Sequence, residues 1–262
     1  MSHTEQDIAL ARRLAEGAGR LLVELRSRGD LEGKALGQAA DAAADAWLMA
    51  AIAAACPTDG LLCEETRDNP IRLGRSRVWI IDPLDGTREY GEGRDDWAVH
   101  VALTVDGRPV VGVVALPDQG VVWTNADGAA ASQTGRPLRM LVSRTRPAPE
   151  AMAVAEALGA ELVPMGSAGA KAMAVLQGKA DIYLHSGGQY EWDSCAPAAV
   201  AIAHGFHASR ADGAELVYNQ ADPWMPDLLV CRPELADRVL ALRDELRAAT
   251  GADTGANTGA HG

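Results

Sequence analysis

A short apolar run, Val78-Trp79-Ile80-Ile81, ends abruptly in Asp82-Pro83-Leu84-Asp85-Gly86-Thr87-Arg88-Glu89-Tyr90. Four apolar residues in succession, rich in β-branched types and closed by Pro83 and Gly86, predict a strand buried on both faces. Asp82 and Asp85 follow at its end, three apart across a turn that Pro83 pre-bends, so both carboxylates can face one point beyond the strand. Carboxylates that converge while buried repel one another, and a hard divalent cation is the usual way to make that tolerable. A surface turn with two solvated acids is the alternative reading of these residues alone.

The chain has 262 residues, enough for one large domain or two modest ones, because single cores stop growing at roughly 250 to 300 residues. A hydrophobic fraction of 48% and a charged fraction of 23% are those of an ordinary globular chain. The net charge of -12 argues against a nucleic-acid polymer or an anionic membrane as partner, since either calls for a basic face. An anionic substrate would have to be attracted by something other than net charge, and metal ions are the economical means. Cys56, Cys63, Cys195 and Cys231 lack C-x-x-C or zinc spacing. The first residues show no basic start followed by an apolar stretch, so a reducing cytoplasm is expected. No apolar run approaches the roughly 18 residues of a membrane span.

Ile8, Ala11, Leu14, Ala15, Ala18, Leu21, Leu22 and Leu25 recur at helical spacing and predict a first amphipathic helix. A glycine-containing loop from Gly29 to Gly37 then carries Lys34 toward an alanine-rich helix over Ala39–Cys56. On that helix Asp41 and Asp45 are one turn apart, either as a functional face or as surface acids at a helix start. Leu61-Leu62-Cys63 ends in Glu64-Glu65, again carboxylates after a strand, of which at most one can face the same centre as Asp82. Trp97–Val105, Pro109–Leu116 and Gly120–Thr124 read as an antiparallel meander. A small, polar connection over Ala126–Pro137 separates residues 1–125 from a second half, 138–248, that alternates strands and helices. In this half Met165-Gly166-Ser167-Ala168-Gly169-Ala170-Lys171 leads from strand to helix and suits phosphate held by backbone N–H groups, with Lys171 adding charge. Asp193 is expected as the N-cap of a helix over Ala198–Ala203, with Pro197 in its first turn. Thr250–Gly262 has the composition of a disordered tail. The histidines, His100 and His185 included, show no metal-binding spacing.

Glu64-Glu65, Asp82-Pro83-Leu84-Asp85-Gly86-Thr87 and Trp192-Asp193 resemble, in order and spacing, the three motifs of the inositol monophosphatase superfamily of metal-dependent, lithium-sensitive phosphatases. Arg88-Glu89-Tyr90, Gly166 to Lys171 and Tyr183-Leu184 are similar to its branch of 3'(2'),5'-bisphosphate nucleotidases, linked to sulfate assimilation. The resemblance implies an α/β (α+β) fold, a five-layered αβαβα sandwich with the site between its halves. It implies Glu64, Asp82, Asp85, Asp193 and the carbonyl of Leu84 as ligands of two or three Mg2+ ions. It further implies Thr87 and Asp41, with Glu64, as the residues that orient and deprotonate water. Gly86, Thr87, Arg88, Ser167, Lys171 and Lys34 are implied at the substrate, Lys34 from a loop that closes over the site. The expected reaction is removal of the 3'-phosphate from 3'-phosphoadenosine 5'-phosphate, a small anionic partner, with homodimer formation left open. Inositol-phosphate, histidinol-phosphate and fructose-bisphosphate hydrolysis on the same scaffold are the alternatives, and a non-catalytic metal or nucleotide sensor is the reading outside enzymes. One departure is Gln38-Ala39-Ala40-Asp41, where the family has Thr-x-x-Asp.

Overall fold

The computed structural model describes residues 3–126 and 135–249. The first periodic segment forms α1 (His3–Ser27), which buries Ala11, Leu14, Ala15, Ala18 and Leu22 along one stripe. The second helix, α2 (Gly33–Ala55), begins earlier than its alanine-rich run and buries Leu36, Ala40, Ala44, Leu48 and Ile52 at one-turn intervals. Gly37, expected to close a loop, is helical. Its role is close approach, since a Cβ there would lie 2.7 Å from Thr87 Cγ2. Lys34 is therefore on the first turn of α2 and exposed, rather than on a loop.

The first sheet contains β1 (Gly60–Cys63), β2 (Arg77–Asp85), β3 (Ala98–Val105), β4 (Arg108–Leu116) and β5 (Val121–Thr124) in sequential order. The β1–β2 pair is parallel and the rest is the expected antiparallel meander. A short helix, α3 (Thr87–Gly91), leaves the end of β2. The second sheet combines β6 (Arg139–Ser143), β7 (Glu161–Met165), β8 (Ile182–Tyr190), β9 (His207–Ser209) and β10 (Trp224–Cys231) in the order β7-β6-β8-β10-β9. Its helices are α4 (Pro149–Leu158), α5 (Ala168–Leu176), α6 (Glu191–Ala203) and α7 (Ala236–Ala249).

Helices α1 and α2 cover the outer face of the first sheet, α5 and α6 fill the space between sheets, and α4 and α7 cover the outer face of the second. This is the αβαβα sandwich. Alternation along β2 divides its apolar run between two cores: Val78 and Ile80 face the inter-sheet core, Trp79 and Ile81 the outer one. All four are fully buried. At about 1.5–3 kcal/mol for each fully buried side chain, they offset the several kcal/mol that burying Asp82 at the same strand's end costs.

Two boundaries differ from expectation. Strand β8 continues through Gly187 and Gly188, both at positive φ, to Tyr190. Helix α6 then begins at Glu191, with Pro197 inside it rather than in its first turn. Asp193 is the third helical residue, not the N-cap, and its Oδ2 accepts a 2.6 Å hydrogen bond from Tyr190 N. The four cysteines are free, and among the described residues no helix is long and apolar enough to cross a membrane. Most of the expected connection over Ala126–Pro137, and the whole expected tail over Thr250–Gly262, lie outside the described residues.

Candidate active site

Asp85 follows Asp82 by three positions, and in a regular strand that offset sends two side chains to opposite faces. The register with β3 resolves this. Asp82 pairs with His100 and Asp85 with Ala98, so β2 spends one more residue than β3 between these pairs. The extra residue is a β-bulge, which turns Asp85 back to the face of Asp82. That face, shared with Val78 and Ile80, looks toward α5 and α6. The predicted convergence is present, made by a bulge within the strand rather than a turn beyond it.

Asp82 is buried. Its Oδ1 accepts Leu84 N at 3.0 Å, while Oδ2 has no partner. Burial, then the charges of Glu64, Asp85, Asp193 and Asp41, hold its pKa well above the usual carboxylate range. Glu64 is exposed as a residue at the cleft mouth, yet its carboxyl is shielded and faces the other acids. Burial, followed by Asp193, Asp41 and Asp85, pushes it up to about 8. Burial and then Asp85 push Asp193 up to about 6. Glu65 is exposed, and its charge adds to the raising of the Asp41 pKa. Asp45 is not a free surface acid, since it accepts the Cys63 thiol at 3.0 Å and the Thr66 hydroxyl at 2.9 Å, fastening the loop that carries Glu64 to α2.

Asp85 behaves differently. Although burial opposes its ionisation, His100, Lys171 and Ser167 hold it down to about 2. Its Oδ2 accepts Ser167 Oγ at 2.5 Å and Gly169 N at 2.7 Å, and its Oδ1 accepts Ala168 N at 3.1 Å. Gly166 N donates to Asp96 Oδ2 at 2.7 Å. The N–H groups expected to cradle phosphate at the start of α5 are thus occupied by carboxylates of the first sheet's side of the molecule. Ser167, at φ +50, gives its hydroxyl to Asp85. Lys171 is buried, donates to the Ser167 and Gly166 carbonyls at 2.6 and 3.2 Å, and lies over the Tyr183 ring.

Asp41 is also buried, with Oδ2 accepting the Thr87 hydroxyl at 2.8 Å and Oδ1 without a partner. Burial pushes it up to about 7 against the pull of that hydrogen bond. The close approach at Gly37, one turn earlier on α2, seats it there despite the altered Gln38-Ala39-Ala40 segment. Gly86, at φ +92, turns the chain from β2 into α3 so that Thr87 meets Asp41, and the Thr87 hydroxyl also lies 3.1 Å from the Leu84 carbonyl.

His100 was not singled out by its sequence surroundings. It is fully buried, with Nδ1 donating to the Trp192 carbonyl at 2.9 Å and Nε2 3.2 Å from Asp85 Oδ2 as a charge contact without hydrogen-bond alignment. Burial opposes its charge, but the Asp85 carboxylate and the Trp192 carbonyl raise its pKa above the ordinary value. Asp82, Asp85 and His100 each offer a donor atom within 4.8 Å of the others. Buried acids with raised pKa values, unpartnered oxygens on Asp82 and Asp41, and a donor set dominated by carboxylate oxygen fit a hard divalent cation.

Glu64, Asp85, Gly86, Ser167, Lys171 and Asp193 line a cleft of about 430 Å³, edged by Arg146, His185, Gln189, Tyr190, Trp192 and Trp224. Thr87, Arg88, Glu89 and Arg146 line an adjoining hollow. Arg88 and Arg146 are exposed and form no ion pair among the described residues, whereas Arg144 is held by Glu89 and Glu92. Lys34 lines neither cavity. Arg146 and Gln189 carried no local motif that marks them.

Comparison with known proteins gives the family and the fold. A model of the inositol monophosphatase family matches residues 3–248. The chain is 48% identical over 255 residues to a 3'-phosphoadenosine 5'-phosphate phosphatase of Mycobacterium leprae, covering 92% of this chain and 94% of that one. It is 30% identical over 201 residues to the 3'(2'),5'-bisphosphate nucleotidase CysQ of Escherichia coli K12, covering 71% and 81%. Among solved structures, inositol monophosphatase II of Staphylococcus aureus superposes with a TM-score of 0.78 at 18% identity, over 94% of this chain and 98% of that one. CysQ of Bacteroides thetaiotaomicron does so with 0.72 at 23% identity, over 87% and 97%. The chain belongs to the inositol monophosphatase family.

Proposed function

We propose that this chain is a Mg2+-dependent phosphatase that removes the 3'-phosphate of 3'-phosphoadenosine 5'-phosphate to give AMP. The observation that carries the chemistry is the buried Asp82, whose Oδ2 has no partner and whose ionisation burial and four further carboxyls oppose, together with the Thr87–Asp41 hydrogen bond. The substrate class is supported by the relatives at 48% and 30% identity.

Glu64, Asp82, Asp85, Asp193 and the Leu84 carbonyl would hold the ions, two or three per site. Asp85 keeps free lone pairs on Oδ1 beside its one amide donor, and Asp193 keeps an oxygen beyond its bond to Tyr190 N. Mg2+ bound there supplies Lewis acidity, lowering the pKa of water and neutralising phosphate oxygens. Thr87, donating to Asp41, keeps its oxygen lone pairs for the attacking water and orients it. Asp41, poised at about 7, takes the water's proton as general base, with Glu64 close enough in the cluster to assist. The amides of Gly86 and Thr87 receive phosphate oxygens. The second phosphate falls to the exposed Arg88 and Arg146, with the buried Lys171 at the cleft wall. In this reading Li+ inhibits by competing for an ion position, and the enzyme works in the cytoplasm.

The test is phosphate release with Mg2+ from 3'-phosphoadenosine 5'-phosphate, inositol 1-phosphate and fructose 1,6-bisphosphate. The highest kcat/KM is expected on the first, and a preference for either sugar phosphate would overturn the substrate assignment.

A further inference from the structure

His100 is a fully buried imidazole between Val99 and Val101 in β3, and no step of the proposed reaction uses it. Burying a polar ring costs free energy unless its nitrogens meet partners. The fold is cut to admit this one. Ala98 and Ala102, two residues away on the same face of β3, are small and face the inter-sheet core. Gly169 on α5 passes so close that a Cβ there would lie 2.0 Å from His100 Nε2. Both nitrogens face oxygen, and on different halves of the molecule. Nε2 lies 3.2 Å from Asp85 Oδ2 at the end of β2, while Nδ1 donates at 2.9 Å to the Trp192 carbonyl in the first turn of α6.

The residue after Trp192 is Asp193, and Asp85 and Asp193 line the same cleft. The first turn of α6 also needs an outside hold, for a separate reason. In an α-helix the N–H of residue 197 donates to the carbonyl of residue 193, but Pro197 has no N–H to give. The turn that carries Asp193 therefore lacks a ladder bond at Asp193 itself. Two other fastenings, Tyr190 N to Asp193 Oδ2 and Glu191 N to the Pro223 carbonyl, tie it within the second half of the molecule. Toward the first sheet α6 packs through small and apolar groups, as where a Cβ at Gly112 would lie 2.5 Å from the Ala196 carbonyl. Such contacts are non-directional and do not fix how far the helix slides or turns. Directional bonds to the first sheet stand at its two ends: His204 Nε2 on the Thr124 carbonyl at the far end, and His100 Nδ1 on the Trp192 carbonyl at the start.

We infer that His100 is a positioning residue that sets the separation of Asp85 and Asp193, meeting the first carboxylate directly and the second through the Trp192 carbonyl, and so tunes the affinity of the site for a divalent cation. This inference rests on the reading of both acids as Mg2+ ligands.

The experiment titrates Mg2+ alone, without substrate, into wild type, His100→Leu, His100→Asn, Asp193→Asn and the double variant His100→Leu/Asp193→Asn, followed by calorimetry. His100→Leu is expected to weaken Mg2+ binding about 10- to 100-fold, the range for a residue that orients a metal ligand. In His100→Asn the amide nitrogen takes the place of Nδ1 and keeps the Trp192 bond, so a smaller loss is expected. In the Asp193→Asn background the His100→Leu loss is expected to shrink well below its value in wild type, because the separation it sets no longer matters, whereas independent sites would add within about twofold. Thermal melts in EDTA report folding apart from the ion. Where His100→Leu does not melt cooperatively, His100→Asn takes its place in the cycle under the same criteria. Mg2+ binding within about twofold of wild type, or losses that add in the double variant, would overturn the positioning role. Mg2+ binding left unchanged by Asp193→Asn alone would instead overturn the ligand reading beneath it, so the two failures are distinct.

Discussion

Replacing Asp41 with asparagine preserves the side chain's shape and an oxygen to accept the Thr87 hydroxyl, while removing a charge that its surroundings resist. Burial is the first cause of that resistance, with Glu65 and Asp45 adding to it, and together they raise the pKa from 3.8 to about 7 against the Thr87 hydrogen bond. The sign follows from proton counting. Between about pH 4 and pH 7 the folded state holds a proton that the unfolded chain has released, so stability falls as pH rises through that window and levels off above it. A shift of about three pKa units corresponds to about 4 kcal/mol, the ceiling for this one site. At roughly 2–4 °C per kcal/mol for a chain of this size, the metal-free Asp41→Asn protein is expected to melt up to roughly 10 °C above wild type at pH 8. The two coincide near pH 4. Thermal melts followed by circular dichroism in EDTA at pH 4, 6 and 8 provide the assay, and the same variant in Mg2+ is expected to lose phosphate release. An Asp41→Asn protein that melts below wild type at pH 8 would refute the argument, because it would mean that the buried charge is stabilising.

Arg146→Ala is expected to raise KM for 3'-phosphoadenosine 5'-phosphate about tenfold, one charge-assisted contact's worth. In steady-state kinetics kcat should stay within about twofold. Gly37→Ala places a methyl 2.7 Å from Thr87 Cγ2 and 3.1 Å from the Thr87 carbonyl. Overpacking of this kind costs about 1–3 kcal/mol, and the displaced Thr87–Asp41 pair should lower kcat more than it raises KM. Asp181 is buried and accepts from Arg136 Nη1 at 2.6 Å, Arg232 Nη1 at 3.0 Å and Arg139 N at 2.8 Å, far from the acid cluster. Although burial opposes its ionisation, the Arg139 amide and the two guanidiniums lower its pKa, so its contribution is present above the unfolded value near 4 and is lost as pH falls further. Denaturant titration of Asp181→Asn should show about 3 kcal/mol lost at pH 7, narrowing toward pH 3, with kcat unchanged.

What the sequence revealed and what it concealed divide along local and non-local lines. Alternation in Trp97–Val105 and Pro109–Leu116, and the helical stripe from Ile8 to Leu25, are properties of short windows, and they correspond to β3, β4 and α1. The convergence of Asp82 and Asp85 was legible as two acids at a strand's end, but the bulge that achieves it depends on pairing with β3, which no local window contains. His100 was concealed for the same reason: it stands in an apolar strand, and only the register opposite Asp82 turns it toward Asp85. Gly33 and Gly37 read as loop formers because glycine signals both freedom and close approach, and only the packing of α2 on Thr87 distinguishes the two. The Gly166–Gly169 segment read as an open phosphate cradle, since nothing nearby in sequence announces that Asp85 and Asp96 already fill it. Pro197 suggested a helix start near Ala198, yet it is tolerated inside α6, where it removes one N–H from the ladder.

Everything functional in this account depends on the acids at the end of β2 holding the ion that activates water. The most direct test is Mg2+-dependent phosphate release from 3'-phosphoadenosine 5'-phosphate by wild type, Asp82→Asn and Asp85→Asn, each with excess Mg2+ and with EDTA. The expected result is release by wild type that EDTA abolishes, and a loss of roughly 1000-fold or more in each variant, equivalent to several kcal/mol of transition-state stabilisation. Near wild-type rates in both variants, or release that persists in EDTA, would contradict it.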